Sequence, residues 1–96
     1  MHYGYSIPGV TMHVDFSKRF QKQFQKLPVK KQLKARQAIA LFLENPQTPS
    51  LRLHQLSGEL VGIWSISAGG DLRLHFEYYG DTVVFFLAVG SHSQLY

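Results

Sequence analysis

Hydrophobic positions along this chain change period twice, and each change marks an element. Met12, Val14 and Phe16 alternate with His13 and Asp15, the two-residue period of a short strand. Phe16, Phe20, Phe24 and Leu27 then recur every three or four residues, which predicts an amphipathic helix with Ser17 as its N-cap and lysines on its far side. Pro28 stops that helix and suits the first turn of another. From Val29 to Glu44 a second apolar stripe is expected at Val29, Leu33, Ala40 and Leu43, ending at Asn45-Pro46. Two helices with almost no loop between them should form an antiparallel hairpin.

After the loop "NPQTPSLRLHQLSG" the period returns to two. Three strands are expected, at about Leu60–Ser67, Leu72–Tyr79 and Thr82–Val89, with "AGGD" and "YGD" as hairpin turns. The order β-α-α-β-β-β implies an α+β fold, a small antiparallel sheet with a helical hairpin packed on one face. One compact domain should span residues 12–96. Residues 1–11, "MHYGYSIPGVT", form an N-terminal extension, whether flexible, an added edge strand, or upstream of a true start at Met12.

Face bookkeeping then locates a candidate site. In "LRLHFEYY" the apolar set Leu72, Leu74, Phe76 and Tyr78 should meet the helices, which leaves Arg73, His75 and Glu77 on the open face. Trp64 and Ile66 must share the apolar side, so a three-residue turn at Ala68-Gly69-Gly70 is expected, pairing Ser67 with Asp71 and Ser65 with Arg73. A turn at Gly80-Asp81 puts Asp71 opposite Gly90 and Arg73 opposite Ala88, small residues that leave room for a ligand. It also puts Val84 and Phe86 on the open face, where an extension or a partner would have to cover them. If the backbone stays extended, His92 projects to the same face. Ser67, Asp71, Arg73 and His92 therefore gather at one end of it.

Charge sharpens the picture. The net charge is +4, and eight of the ten cations fall between Lys18 and Arg36, where no acid balances them. Such a basic stripe favours a polyanionic partner. Cysteine is absent, so disulfides and thiolate metal sites are excluded. No apolar stretch is long enough to span a bilayer and no signal-peptide pattern opens the chain, so a cytoplasmic protein without membrane association is expected. The five histidines and six carboxylates show no metal-ligand spacing, and neither a phosphate loop nor a nucleophile elbow is present, so no cofactor is expected.

The residues that remain suit cutting RNA without a metal. That chemistry needs a base for the 2′-hydroxyl, an acid for the departing 5′-oxygen, and a cation for charge building on the phosphate. Histidine, with an ordinary pKa of about 6.5, suits proton transfer. Arginine suits phosphate through its charged planar fork. Arg73 is the strongest candidate. His92 and Asp71 follow by convergence, although a strand end and a glycine turn explain them equally well. His54, beside Arg52 in "LRLHQLSG", would alone be an exposed loop residue. Tyr96 suits stacking on a nucleobase or folding back on the sheet. His75 is expected to be structural or auxiliary, and His2 and His13 uninvolved.

The segments "LHQLSGELVGIWSISAGGDLRLHFEY" and "AVGSHSQLY" resemble the RelE/ParE superfamily of toxin–antitoxin toxins, its YafQ-like branch above all. The resemblance implies a ribosome-dependent mRNA endoribonuclease neutralised by a cognate antitoxin, alone or in a heterotetramer, with homodimerisation a further option. It matches His54, Asp71 and His92 to family active-site positions, Tyr96 to an aromatic after the histidine motif, and Arg73 to a widespread arginine. Ser67 stands where a YafQ-like chain can carry another histidine, so the division of acid and base roles between His92 and Asp71 or His54 stays open. Substrate contacts are expected from Ser67, Arg52 and Tyr96. ParE-like members of the same fold inhibit DNA gyrase, which is the competing implication, as is an inactive binding module.

Overall fold

The computed structural model describes residues 2–7 and 10–96, with side chains from Met12 onward. Strands β1 (His2–Ile7) and β2 (Val10–Phe16) lead into helices α1 (Lys18–Gln25) and α2 (Val29–Glu44). A short strand β3 (His54–Gln55) follows, then β4 (Trp64–Ser67), β5 (Leu72–Tyr79), β6 (Val83–Ser91) and a terminal turn of helix α3 (His92–Leu95). The six strands form one sheet in the order β1-β2-β6-β5-β4-β3. All neighbours are antiparallel except β2 and β6, which run parallel because the helical hairpin carries the chain across the sheet between them. β1 is an added edge strand paired with β2, and Met1, Pro8 and Gly9 lie outside the described residues.

Ser17 caps α1 as expected, its Oγ accepting from Phe20 N at 2.9 Å. Its hydroxyl also donates to Leu87 O at 2.8 Å. β2 pairs with only the first half of β6, and α1 serves the rest of that exposed edge: Gln23 Oε1 accepts from Val89 N at 2.9 Å. Gln32 Nε2 donates to Phe24 O and Leu27 O at 3.1 and 3.2 Å, closing the carbonyl end of α1 against α2.

The buried stripe of α2 differs from the sequence expectation. Val29 and Leu33 are 80% and 54% exposed, and Ala40 is exposed too, whereas Ala35, Ala38, Ile39, Phe42 and Leu43 enter the core. The latter set follows the helical 3–4 spacing over two turns. Val29 and Leu33 fall well off that face. The core lies between the helices and one sheet face, around Phe42, Phe76 and Phe86, with ring centroids 4.8 Å apart for Phe42–Phe76 and 5.5 Å for Phe76–Phe86.

Register needs two corrections. Ser67 pairs with Arg73 and Ser65 with His75, two residues from the expected pairing, because the turn is Gly69-Gly70-Asp71. Both glycines take positive φ, which that tight turn requires. In the last hairpin Arg73 pairs with Gly90 and His75 with Ala88, while Tyr78 pairs with Val84. A bulge opposite His75 and Phe76 inverts the parity along β6. Val84 and Phe86 are therefore fully buried in the helix-side core, not on the open face. Past the bulge Leu87 and Ala88 both turn to the other face.

Candidate active site

The face away from the helices is polar and only partly open. Ser65, Ser67 and His75 are its buried polar residues, 0%, 8% and 4% exposed. What closes over them is the C-terminal turn. The chain does not stay extended past Ser91. Ser91 and Gln94 form a reciprocal capping box, with Ser91 Oγ accepting from Gln94 N at 3.2 Å and Gln94 Oε1 accepting from Ser91 N at 2.8 Å. Gly90 accommodates that box rather than a ligand, since a Cβ there would meet Gln94 Oε1 at 2.8 Å.

This turn fixes the tail onto the sheet. His92 N donates to the Asp71 carbonyl at 3.0 Å and to its Oδ1 at 3.3 Å. Tyr96 folds back: its hydroxyl donates to Ser65 Oγ at 2.9 Å. Its ring stands edge-on to His75, centroids 4.8 Å apart, and stacks on His92 at 4.2 Å. A column His75–Tyr96–His92 thus rises from the buried sheet to the exposed imidazole of His92. Tied to Ser65 by its hydroxyl, Tyr96 holds His92 against one face of its ring and stays 46% exposed.

Arg73 is held from below. Its Nη1 donates to Gly70 O at 2.9 Å, Leu72 O at 3.0 Å and Ser67 Oγ at 3.2 Å. Ser67 Oγ also accepts from Gly69 N at 3.2 Å, so its work is to brace the arginine and the turn. No such bond falls on Nη2 or Nε of Arg73 among the described residues, and this edge of the fork can take two oxygens of one phosphate.

His54 reaches the same face from the neighbouring edge, exposed and paired with Ser65 in the ladder. Its Nδ1 lies 2.8 Å from Arg52 O. A carbonyl only accepts, so Nδ1 carries the proton and Nε2 of the neutral ring keeps a lone pair, the form a general base needs. Arg52 adopts a left-handed backbone, φ 49°, which presents that carbonyl. Its side chain is exposed and, among the described residues, makes no hydrogen bond or ion pair in the site.

His75 is the member that alternation alone undervalued. Burial, with help from the charges of Arg19, His54 and His92, pulls its pKa down to about 4. It is neutral near pH 7 and serves as no proton donor of the imidazolium kind. Arg19 joins the site from the start of α1, although the sequence placed it only in a basic stripe. Its position follows from the parallel β2–β6 pairing, a long-range feature with no local signature. Ser65, likewise unforeseen, anchors the tail. The structure thus brings together His54, Ser67, Asp71, Arg73, His92 and Tyr96, and Arg52 through its carbonyl alone. His13 sits on β2, away from this end. Among the described residues no three His, Asp or Glu side chains are grouped to hold a metal ion.

Comparison with known proteins agrees with this architecture. A search of the curated proteins found no match. Among solved structures, a copper-bound point mutant of a toxin from Helicobacter pylori matches at 27% identity and TM-score 0.70, covering 86% of this chain and 97% of that one. A YafQ mutant from E. coli matches at 18% identity and TM-score 0.70, covering 88% and 98%, a likeness of fold. The toxin–antitoxin complex RelBE2 from Mycobacterium tuberculosis matches at 24% identity and TM-score 0.61, covering 82% and 95%. The family profile described as the ParE toxin of type II toxin–antitoxin systems, parDE, matches residues 14–96. With a shared fold and a family match over nearly its whole length, the chain belongs to the ParE toxin family of the RelE/ParE superfamily, and is a toxin of the type II toxin–antitoxin class.

Proposed function

We propose that this toxin cleaves RNA by acid–base chemistry on one phosphodiester, with messenger RNA on the ribosome as substrate. The observation that carries the proposal is the joining of Asp71, Arg73 and His92. Arg73 pairs with Gly90 across the ladder, and the Asp71 carbonyl and carboxylate hold the amide of His92 two residues further on. The backbones that carry the guanidinium and the imidazole therefore lie side by side at one end of this face, which supports their acting on one phosphodiester.

The steps follow from the donors. His54 Nε2 takes the proton of the 2′-hydroxyl, and the 2′-oxygen forms its bond to phosphorus. The bond from phosphorus to the 5′-oxygen breaks, and His92 gives that oxygen its proton. Arg73, through Nη2 and Nε, holds the non-bridging oxygens as their charge grows. The products are a 2′,3′-cyclic phosphate and a 5′-hydroxyl. Asp71 orients the tail, Ser67 braces Arg73, and the exposed lysines of α1 and α2 attract the polyanion. A cognate antitoxin completes the proposal, in line with the DinJ–YafQ and RelBE2 complexes among the structural relatives.

The family's ParE name favours a second function, gyrase inhibition. One experiment separates the two: map RNA 5′ ends after adding purified protein to a translating extract, beside His92→Ala and Arg73→Ala. In-frame cuts by wild type, weakened at least ~100-fold in His92→Ala, are expected on the usual scale of acid–base catalysis. Intact mRNA with stalled gyrase on DNA overturns the nuclease proposal.

A further inference from the structure

Beside the column lies a cleft of about 270 Å³ that none of the proposed steps uses. Ser17 and Arg19 from the start of α1, Leu60 and Ile63 from the loop before β4, His75, Leu87, Ala88 and Leu95 line it. Its walls are mostly aliphatic. Its two polar features differ in kind. Arg19 is exposed and charged, whereas His75 is 4% exposed, neutral near pH 7, and its Nε2 has no hydrogen-bond partner among the described residues. Buried polar atoms are nearly always satisfied, and this nitrogen is closed off from the cleft as the ring stands, so a ligand in the cleft would pair with it once the ring turns. Ser17 is already engaged with Leu87 O and Phe20 N.

From this we propose that the cleft receives one unpaired nucleobase of the RNA, adjacent to the phosphate being cut, and so sets base preference. The inference rests on the nuclease proposal for its substrate class. A base is flat and uncharged and carries hydrogen-bonding groups on its edge. It suits aliphatic walls with a neutral imidazole, and its own 5′-phosphate suits Arg19 at the rim. The cleft is continuous with the site, because His75 touches Tyr96, and Tyr96 stacks on His92. The bulge in β6 creates the space: it turns both Leu87 and Ala88 to this face, and Ala88 opposite His75 is small enough to leave it open. A larger side chain there would fill the cleft without touching His54, Arg73 or His92 chemistry.

The test uses the intact protein and the four ribonucleoside 5′-monophosphates, with ribose 5-phosphate and inorganic phosphate as probes that lack a base. Nitrogen and methyl NMR spectra should show shifts at Ala88, Leu87 and the His75 ring with at least one nucleotide and none with ribose 5-phosphate. Ala88→Leu should weaken that binding at least tenfold. Leu60→Trp, at the rim and outside the core, should do the same if Ala88→Leu fails to fold. Equal shifts from ribose 5-phosphate, or nucleotide binding unchanged in the folded variants, overturns the inference. The two proposals fail separately. Cleavage with the same base preference in Leu60→Trp sinks the cleft and leaves the nuclease, whereas nucleotide binding in the cleft without cleavage does the reverse.

Discussion

The two faces of this sheet are built on opposite principles. The helix side buries hydrocarbon: Phe42, Phe76 and Phe86 are 1% exposed or less and meet in one aromatic cluster. The other side buries Ser65, Ser67 and His75, and covers them with four residues of helix and one tyrosine. One face supplies stability through area removed from water. The other holds polar groups in place by hydrogen bonds and ring contacts, each worth little alone. This small toxin domain thus concentrates its apolar burial behind the sheet and its buried polar groups in front.

The comparison gives an ordered set of expectations. Phe76→Ala, from the aromatic cluster, should lose about 3–5 kcal/mol by chemical denaturation. A loss below about 1 kcal/mol would dissolve the distinction between the faces. Acid comes next. His75 has a folded-state pKa of about 4 against 6.5 for the free side chain, so the unfolded chain binds more protons between those values. Stability is present above pH 6.5 and falls as pH drops toward 4, by on the order of 2–3 kcal/mol from this group. His75→Phe keeps a ring beside Tyr96 and should remove that part of the slope. Equal slopes in the two proteins would mean that His75 is not buried neutral.

Smaller effects test the scaffold between the faces. Ser17→Ala removes a helix cap and a bond to the edge of β6, and should cost about 1–2 kcal/mol in thermal unfolding. Tyr96→Phe removes only the hydroxyl that reaches Ser65, and should cost about 1 kcal/mol. Its ring still stacks on His92, so its cleavage rate should fall far less than that of His92→Ala. A Tyr96→Phe rate as low as His92→Ala would assign the hydroxyl a direct part in the reaction.

Much of the helix side was legible in the chain. Alternation in "LRLHFEYY" and the 3–4 spacing from Phe16 to Leu27 report local geometry, and both hold. The stripe of α2 was misjudged because Val29 and Leu33 are apolar yet exposed, while Ala35 and Ala38 join Ile39, Phe42 and Leu43 in the core. On the polar side, alternation fixed which face Arg73 takes but not its neighbours. Period two cannot distinguish registers two residues apart, and a bulge reverses the period without a local mark. The helical tail had a signal that alternation overlooks, the Ser91-to-Gln94 spacing of a capping box. Arg19 and the cleft depend on α1 meeting the far half of β6, a tertiary fact no window of sequence contains.

The central claim is a transfer of protons at one phosphodiester by His54 and His92 with Arg73 on the phosphate, and the chemistry of the cut ends tests it most directly. Purified protein should act on translated mRNA with chelator present and leave 5′-hydroxyl and 2′,3′-cyclic phosphate ends, which ligation and phosphatase-coupled sequencing distinguish. Ends bearing a 5′-phosphate, or cutting that stops when divalent ions are removed from a system whose ribosomes remain intact, would contradict it.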